Sequence, residues 1–209
     1  TCDAILANQT DHNAVFEQVY PFGTVRMIST DTRGVGINRN TALDAAEAEF
    51  VLFADDDVTY ADGMPERLLS EFAAHPDADV LIFGIDYTKN GVVIERRRPG
   101  SRRRHLWNAM RFGAAVTAVR LRAVRDAGIR FSPYFGGGCL YCAGEDTLFL
   151  RDCLRSGRKV YSTDAVLGTC RKDTSTWFTN CNEKYFYDKG ALMNYLFPHV
   201  RHLAALYFA

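Results

Sequence analysis

The chain has 209 residues, of which 47% are hydrophobic, 12% aromatic and 24% charged, and its 25 basic and 25 acidic side chains cancel at neutral pH. This composition excludes a disordered chain, a collagen-like repeat and a disulfide-dense mini-protein. The length predicts one domain with a sizeable core, and no run approaches the roughly eighteen uncharged apolar residues of a transmembrane helix.

Short β-rich runs alternate with amphipathic helical stretches, and this order predicts an α/β fold. Phe50–Ala54 is a continuous apolar run that ends on acids, a pattern typical of a buried parallel strand. Lys89-Asn90-Gly91 predicts a hairpin turn. The predicted strands are Cys2–Ala7, Thr24–Ser29, Phe50–Ala54, Asp79–Tyr87, Val92–Arg96, Ala114–Val119 and Arg158–Tyr161, and the predicted helices are Asn38–Ala48, Met64–His75, Leu121–Ala127, Glu145–Ser156 and a tail from Glu183.

Three consecutive carboxylates, Asp55-Asp56-Asp57, follow the strand at Phe50–Ala54. Ligands of open α/β sheets bind beyond the carboxyl ends of strands, and adjacent carboxylates repel one another unless a cation or donor groups compensate. Because successive strand residues face opposite sides, Asp55 and Asp57 are expected to point the same way and to suit Mg²⁺ or Mn²⁺ with phosphates. The alternative is a solvated acidic turn. An EF-hand is excluded because Tyr60 stands where its loop requires glycine.

A first glycine-rich segment, Gly34-Val35-Gly36, leads into Asn38-Arg39-Asn40. Backbone N–H groups at a helix start bind anions, and Arg39 is suited to grip a phosphate. The match to a dinucleotide fingerprint is poor, because Arg39 replaces the third glycine. The alternative is simple capping, with Asn38 as the helix cap.

A second glycine-rich segment, Gly136-Gly137-Gly138, precedes Glu145 and Asp146 in the first turn of a predicted helix. The helix dipole favours acids at that position, which is one explanation for them. The functional alternative is a carboxylate that acts as general base beside a flexible glycine loop. The six cysteines are expected to be free thiols, since the C-x-x-C of Cys139 and Cys142 has no second half of a zinc site.

Two segments carry a recognisable order of motifs. Gly36–Asp57 holds a glycine loop, Arg-Asn, a helix, an apolar strand and D-x-D, and the later Gly144–Tyr161 holds Glu-Asp-Thr-Leu-Phe-Leu. This order resembles the inverting glycosyltransferases of family 2, and the resemblance covers nearly the whole chain. It implies the GT-A fold, with a Rossmann-like, mostly parallel central sheet flanked by helices and here a C-terminal helical tail. It also implies a metal-dependent enzyme that moves a sugar from a nucleotide-sugar, expected to be a UDP-sugar, to an acceptor hydroxyl.

The resemblance also implies roles for individual residues. The D-x-D motif of the family holds a divalent metal that bridges the donor diphosphate, which places Mn²⁺ or Mg²⁺ on Asp55 and Asp57, with Asp57 as the direct ligand and Asp55 also at the ribose. Asp146, beside Glu145, is the expected catalytic base. Donor contacts are expected from Asn8, Gln9, Asp11, Arg39, Asp55 and Asp56, and acceptor contacts from Gly137, Gly138 and Trp177.

The resemblance is incomplete in the N-terminal region. Ala7–Asp11 is similar to the end of the family's second strand, but Asn8 and Gln9 stand where acidic residues commonly contact the base. The family's first strand and helix have no counterpart before residue 1. The chain is therefore expected to be a single GT-A domain over residues 1–209 that lacks this N-terminal piece.

Charge is distributed unevenly along the chain. Residues 40–86 hold twelve acidic side chains against Arg67 alone, and residues 87–130 hold twelve basic side chains against two acids. The arginines of residues 96–104 favour phosphate or carboxylate partners. The possible partners are an acidic glycan, a lipid-linked pyrophosphate acceptor and an anionic membrane, and the alternative is a solvated loop without a partner. Nucleic acid is not expected, because no RNA-binding aromatic motif accompanies these arginines.

The expected role is synthesis of a bacterial polysaccharide or cell-surface glycan, on a glycan or lipid-linked acceptor. The expected location is the cytoplasm, with peripheral contact at the inner face of the membrane as an addition. The aromatic tail from Glu183 is expected to pack on the core, with an oligomer contact or an interfacial helix as alternatives.

Two other functions fit parts of the sequence. Asp55–Thr59 also spells D-x-D-x-T, the first motif of haloacid-dehalogenase-like phosphatases, in which Asp55 would be the nucleophile. That motif usually lies on the first strand of its domain, whereas two predicted strands and a helix precede it here. The other alternative is a catalytically inactive, transferase-like module that binds glycans.

Overall fold

The computed structural model describes residues 2–172 and 182–199, which form a layered α/β arrangement. The strands are β1 (Ala4–Gln9), β2 (Ala14–Tyr20), β3 (Gly23–Thr30), β4 (Phe50–Leu52), β5 (Val58–Tyr60), β6 (Val80–Lys89), β7 (Val92–Arg97), β8 (Arg102–Arg103), β9 (Thr117–Arg120) and β10 (Val160–Arg171). The helices are α1 (Val35–Ala45), α2 (Met64–Ala74), α3 (Leu106–Ala109), α4 (Leu121–Asp126), α5 (Glu145–Arg155) and α6 (Glu183–Leu196).

The strands form two mixed sheets. The three-stranded sheet has the order β1-β3-β2, in which β1 and β3 are parallel. The seven-stranded sheet has the order β4-β9-β6-β10-β5, with β7 paired to β6 and β8 to β10. Only β6 and β10 pair in parallel in this sheet, so it is less parallel than the sequence predicted. Short connections such as the turn at Asn90-Gly91 produce antiparallel neighbours, because parallel pairs need long crossovers.

Strand β6 shows how the large sheet separates two helix layers. Its side chains alternate, so that Val80 and Ile82 enter one hydrophobic cluster with α1, α4 and α5, while Leu81 and Phe83 enter another with α2. The first cluster includes three packed rings: Phe131 stacks on Phe149 at 4.2 Å and meets the edge of Phe53 at 4.9 Å. The core thus holds the end of β4 against α5.

The boundaries of several elements differ from the predicted ones. The helix expected at Asn38–Ala48 begins three residues earlier and has Gly34 as its N-cap residue, so Asn38 lies inside α1 and does not cap it. Residues Ala114–Val116 form a 3₁₀ turn, and the strand predicted from Ala114 begins only at Thr117. The strand predicted at Arg158–Tyr161 is the first part of the longer β10.

Helix α6 confirms that one face of the aromatic tail packs on the core. Leu192, Met193 and Leu196 are buried with Phe135 and Leu148. The exposed aromatic side chains of α6 are Phe186, Tyr187 and Tyr195. None of the helices in the described part of the chain is both long and apolar enough to cross a membrane.

Candidate active site

The Asn38-Arg39-Asn40 segment of α1 contacts three different parts of the protein. Consecutive helical residues point in different directions, and here the Asn38 amide donates to the Ala7 carbonyl of β1 at 2.7 Å. The Asn40 side chain donates to the Phe131 carbonyl and accepts from the Phe131 N–H, both at 2.9 Å. The two asparagines therefore fix α1, and Arg39 between them is aimed at a group of carboxylates.

Arg39 joins the two motifs of the site through a single guanidinium. Its Nη2 donates to Asp55 Oδ1 at 2.9 Å. Its Nη1 donates to Asp146 Oδ1 at 2.7 Å and to Glu145 Oε1 at 3.1 Å. The Arg39 side chain is 11% exposed, and its guanidinium carbon lies 5.4 Å from the centre of the Phe131 ring. The D-x-D segment and the first turn of α5 are thereby held together.

Asp146 has the properties of a general base. Its side chain is still 24% exposed, but burial raises its pKa to about 7, and Glu145 adds to this effect while Arg39 opposes it. The backbone of Ala114 lowers the pKa and so favours the charged form. A carboxyl group with a pKa near neutrality is well matched to taking a proton at physiological pH.

Glu145 is a structural partner of this base. Its side chain is 3% exposed, Oε1 accepts from Arg39, and Oε2 accepts from the Gly144 N–H at 3.1 Å. Because both oxygens are engaged, Glu145 is placed to orient Arg39 and the start of α5.

The glycine loop packs between the starts of α1 and α5. Gly136 has φ +111°, and a Cβ there would meet Val35 and come within 2.9 Å of the Glu145 carboxyl carbon. The Gly137 carbonyl accepts from the Val35 N–H at 2.9 Å, which occupies one of the free N–H groups at the start of α1. Gly137 and Gly138, the expected acceptor contacts, therefore lie next to Gly34 and Glu145.

The three aspartates lie in the turn between β4 and β5, so strand alternation does not orient them. Asp55 faces Arg39, and Asp57 Oδ2 accepts from the Cys170 thiol at 3.5 Å. Burial and Asp57 raise the pKa of Cys170 to about 11, with a smaller contribution from Asp55. Both carboxylates also add to the effect of burial in raising the pKa of Tyr60. Asp55 and Asp57 thus have different bonded partners, Arg39 and Cys170, although both carboxylates act on Tyr60.

The donor set at this turn suits a hard cation that keeps other ligands. Asp55 and Asp57 offer carboxylate oxygens, which Mg²⁺ and Mn²⁺ accept. Among residues 2–172 and 182–199, no three His, Cys, Asp or Glu side chains are grouped to hold a metal ion by themselves. Two carboxylates supply only part of such a shell, and Arg39 already holds one oxygen of Asp55.

Of the remaining expected site residues, Asn8 and Gln9 lie on β1 and Asp11 in the turn after it. The Asn8 amide donates to Ser29 Oγ at 3.2 Å, and Gln9 Oε1 accepts from the Gly34 N–H at 3.5 Å, which places the end of β1 beside the start of α1. Asp11 is exposed and bonded to Thr10 and His12. Trp177 lies outside the described residues.

The structure adds residues that the sequence analysis did not select. Cys170 and the Arg171 N–H, which donates to the Asp57 carbonyl at 3.1 Å, reach the D-x-D turn from β10. Gly113 lies beside Asp146, since a Cβ there would be 3.4 Å from Asp146 Oδ2. No local pattern marks these positions, because they depend on the pairing of distant strands.

The fold is the GT-A fold, which is shared by glycosyltransferases. The chain is similar to a crystal structure of S. aureus TarS residues 1–349, with 20% sequence identity and a TM-score of 0.57, over 81% of this chain and 47% of that one. The same TarS fragment in complex with UDP matches with a TM-score of 0.59, 20% identity and the same coverage. The chain thus spans about half the length of these structures.

The chain belongs to glycosyltransferase family 2. The family model described as glycosyl transferase family 2 matches residues 13–135, which is more than half of the chain. No curated protein matches the sequence significantly. The predicted family and fold class are confirmed, and the phosphatase alternative has no support.

Proposed function

We propose that this protein transfers a sugar from a nucleotide-sugar to an acceptor hydroxyl with inversion at the anomeric carbon, and that Asp146 is the base. The observation that carries the proposal is the pair of hydrogen bonds from Arg39 to Asp55 and Asp146, at 2.9 and 2.7 Å. They hold the proposed donor-binding motif and the proposed base one guanidinium apart, which supports a direct displacement between donor and acceptor.

In this proposal Asp146 accepts the proton of the acceptor hydroxyl while that oxygen attacks the anomeric carbon. The bond from the anomeric carbon to the diphosphate breaks in the same step, and the nucleoside diphosphate leaves with the bonding electrons. A single displacement inverts the configuration and needs one base, so no second carboxylate nucleophile is required. Glu145 and Arg39 keep Asp146 oriented toward the acceptor side.

The D-x-D turn is the proposed donor site. A bound Mn²⁺ or Mg²⁺ on Asp57 and Asp55 would supply positive charge to the departing diphosphate. Asn8, Gln9, Asp11 and Asp56 are the further proposed donor contacts. The UDP complex of TarS, which shares the fold, supports a UDP-sugar as the donor.

The proposed acceptor is a glycan or a lipid-linked glycan that contacts Gly137, Gly138 and Trp177. The proposed role is bacterial polysaccharide or cell-surface glycan synthesis in the cytoplasm, by one GT-A domain over residues 1–209. Nucleic acid is not among the proposed partners.

The test is a panel of nucleotide-sugars in which nucleotide release is followed with Mn²⁺ or with EDTA. We expect Asp57→Ala to lose metal-dependent turnover and Asp146→Asn to lose turnover while it still binds the nucleotide. Asp62→Ala removes an exposed carboxylate of the same region and serves as the matched control. The mechanism would be contradicted if turnover resisted the chelator and survived both substitutions. The inactive binding module would be favoured if the wild-type protein bound neither metal nor nucleotide.

A further inference from the structure

An aromatic pair lies on the surface at the end of α6. Trp107 of α3 is 77% exposed, and its ring stacks on Phe197 with centroids 5.2 Å apart and planes 7° from parallel. Trp107 lines neither the small apolar cavity beside Asp146 nor the groove between residues 127–134 and α5. Phe197 is half-buried against the cluster of α6, so the exposed ring of the pair is that of Trp107.

Arginines without acidic partners precede and follow Trp107 in the sequence. Several arginines of residues 87–130 are neutralised by a carboxylate, for example Arg98 by Asp86 at 2.6 Å. By contrast, Arg102, Arg103 and Arg111 are exposed, and no carboxylate of the described residues lies within ion-pair distance of them. Their positive charges are available to an external anion.

These arginines are close to one another in space. Arg104 and Arg111 both lie over the Phe112 ring, at 5.0 and 5.5 Å from its centre. After burial, the largest influences that lower the pKa of Arg104 are the charges of Arg102 and Arg111. Arg104 itself is buried and donates to Ser162, so the exposed charges of this cluster are those of its neighbours.

The same segment leads directly to the proposed base. The Met110 carbonyl accepts from Thr147 Oγ1 at 2.9 Å, and Gly113 lies beside Asp146. A partner bound at Trp107 would therefore lie next to the acceptor side of the site.

We propose that Arg102, Arg103, Trp107, Arg111 and Phe197 form a surface that binds an anionic lipid bilayer. Guanidinium groups pair with lipid phosphates through two hydrogen bonds, and tryptophan rings settle at the boundary between headgroups and acyl chains. An anionic bilayer offers phosphates to the exposed arginines and an interfacial layer to the exposed Trp107 ring. Binding of this kind is peripheral and weakens as salt screens the charges.

The experiment is sedimentation of the full chain with phosphatidylcholine vesicles, with and without phosphatidylglycerol. We expect binding only to the anionic vesicles and a decrease as salt is added. Each removed arginine is expected to weaken binding about fivefold, so Arg102→Gln/Arg103→Gln is the main variant. Lys89→Gln/Arg122→Gln removes two exposed charges elsewhere and is expected to bind nearly as the wild type does.

Fluorescence separates the aromatic contribution. In a Trp177→Phe background Trp107 is the only tryptophan, and its emission is expected to shift to the blue with anionic vesicles. Trp107→Ala is expected to weaken binding with unchanged circular dichroism. The proposal is overturned if anionic vesicles do not bind the wild type, if both double variants bind equally, or if only a soluble acidic polysaccharide binds. No donor is present in these measurements, so they succeed or fail independently of the proposed transferase activity.

Discussion

Arg39 allows several carboxylates to share one small region. Asp55, Glu145 and Asp146 would repel one another, and Glu145 is almost completely buried. A guanidinium has five N–H donors in a fixed plane, so one side chain can hold all three acids. The charge that stabilises the fold here is therefore the same charge that orients the proposed base.

Arg39→Gln is expected to lower the free energy of unfolding by about 3 kcal/mol, because it leaves buried acids without their counter-charge. Arg130→Gln is the matched control, since Arg130 pairs with Asp44 in an exposed position and its loss should cost about 0–1 kcal/mol. Urea denaturation of both variants measures the difference. Equal stabilities would show that Arg39 is not the main compensating charge, and Arg39→Lys should recover only part of the loss.

Asp146 is expected to govern the pH dependence of turnover. Because its pKa is raised to about 7, activity should rise as pH increases through this value and the carboxyl group ionises. Asp146→Asn should lower kcat about 10²- to 10⁴-fold and abolish this limb of the profile. A pH–rate profile that falls instead of rising near pH 7 would assign the base elsewhere.

The raised pKa of Asp146 also makes the stability of the fold depend on pH, and stability changes in the opposite direction to activity. The folded state binds the Asp146 proton more tightly than the unfolded chain, whose pKa is the ordinary 3.8. Stability from this group is therefore greatest below about pH 4 and decreases as pH rises toward 7. Asp146→Asn should show less of this decrease, so denaturation at several pH values separates an inactive folded variant from an unfolded one.

At the scale of elements, β10 positions the D-x-D turn through its pairing with β5. Gly168 lies opposite Tyr60, and a Cβ at Gly168 would collide with the Thr59 carbonyl. The Arg171 N–H, three residues further along β10, bonds to Asp57. The position of Asp57 in the proposed metal site therefore depends on how closely the backbones of β5 and β10 approach each other.

Gly168→Ala is expected to destabilise the protein by about 1–3 kcal/mol, because the rigid backbone of β5 must move to admit the methyl group. It should also weaken binding of Mn²⁺ with nucleotide. Gly190→Ala, in open space on α6, is the control and should stabilise the helix by about 0.5–1 kcal/mol. If Gly168→Ala kept wild-type binding and stability, the β5–β10 contact would have no part in shaping the site.

The elements that could be predicted from sequence are those with a strong burial pattern. Glu145–Ser156 is predicted because apolar residues recur at the spacing of a helix, and Phe50–Ala54 because it is a continuous apolar run. The buried parallel strand expected there is wrong in its pairing, since β4 is a half-buried edge strand that is antiparallel to β9. Strand β2 was missed, since all seven of its residues are exposed and no alternation marks it. The motifs indicated Asp55, Asp57 and Asp146 one by one, but not that Arg39 joins Asp55 to Asp146, because this contact depends on how α1, β4 and α5 pack.

At the scale of the whole molecule, ion pairs join the acid-rich residues 40–86 to the arginine-rich residues 87–130. Arg98 pairs with Asp86, Arg120 with Glu49 and Arg130 with Asp44, so arginines from residues 87–130 meet acids from residues 40–86. The unpaired Arg102, Arg103 and Arg111 are therefore a local excess on a protein without net charge.

This balance predicts a solubility minimum near the isoelectric point of about 6.9. Proteins without net charge associate more readily, and moderate salt should raise the solubility by screening attraction between copies. Arg102→Gln/Arg103→Gln gives the chain a net charge of −2 at neutral pH, so its solubility minimum should move to lower pH and its solubility at pH 7 should rise. Precipitation assays across pH and salt measure both changes. A double variant that is less soluble than the wild type at pH 7 would mean that these arginines keep copies apart, in contradiction to the charge-balance argument.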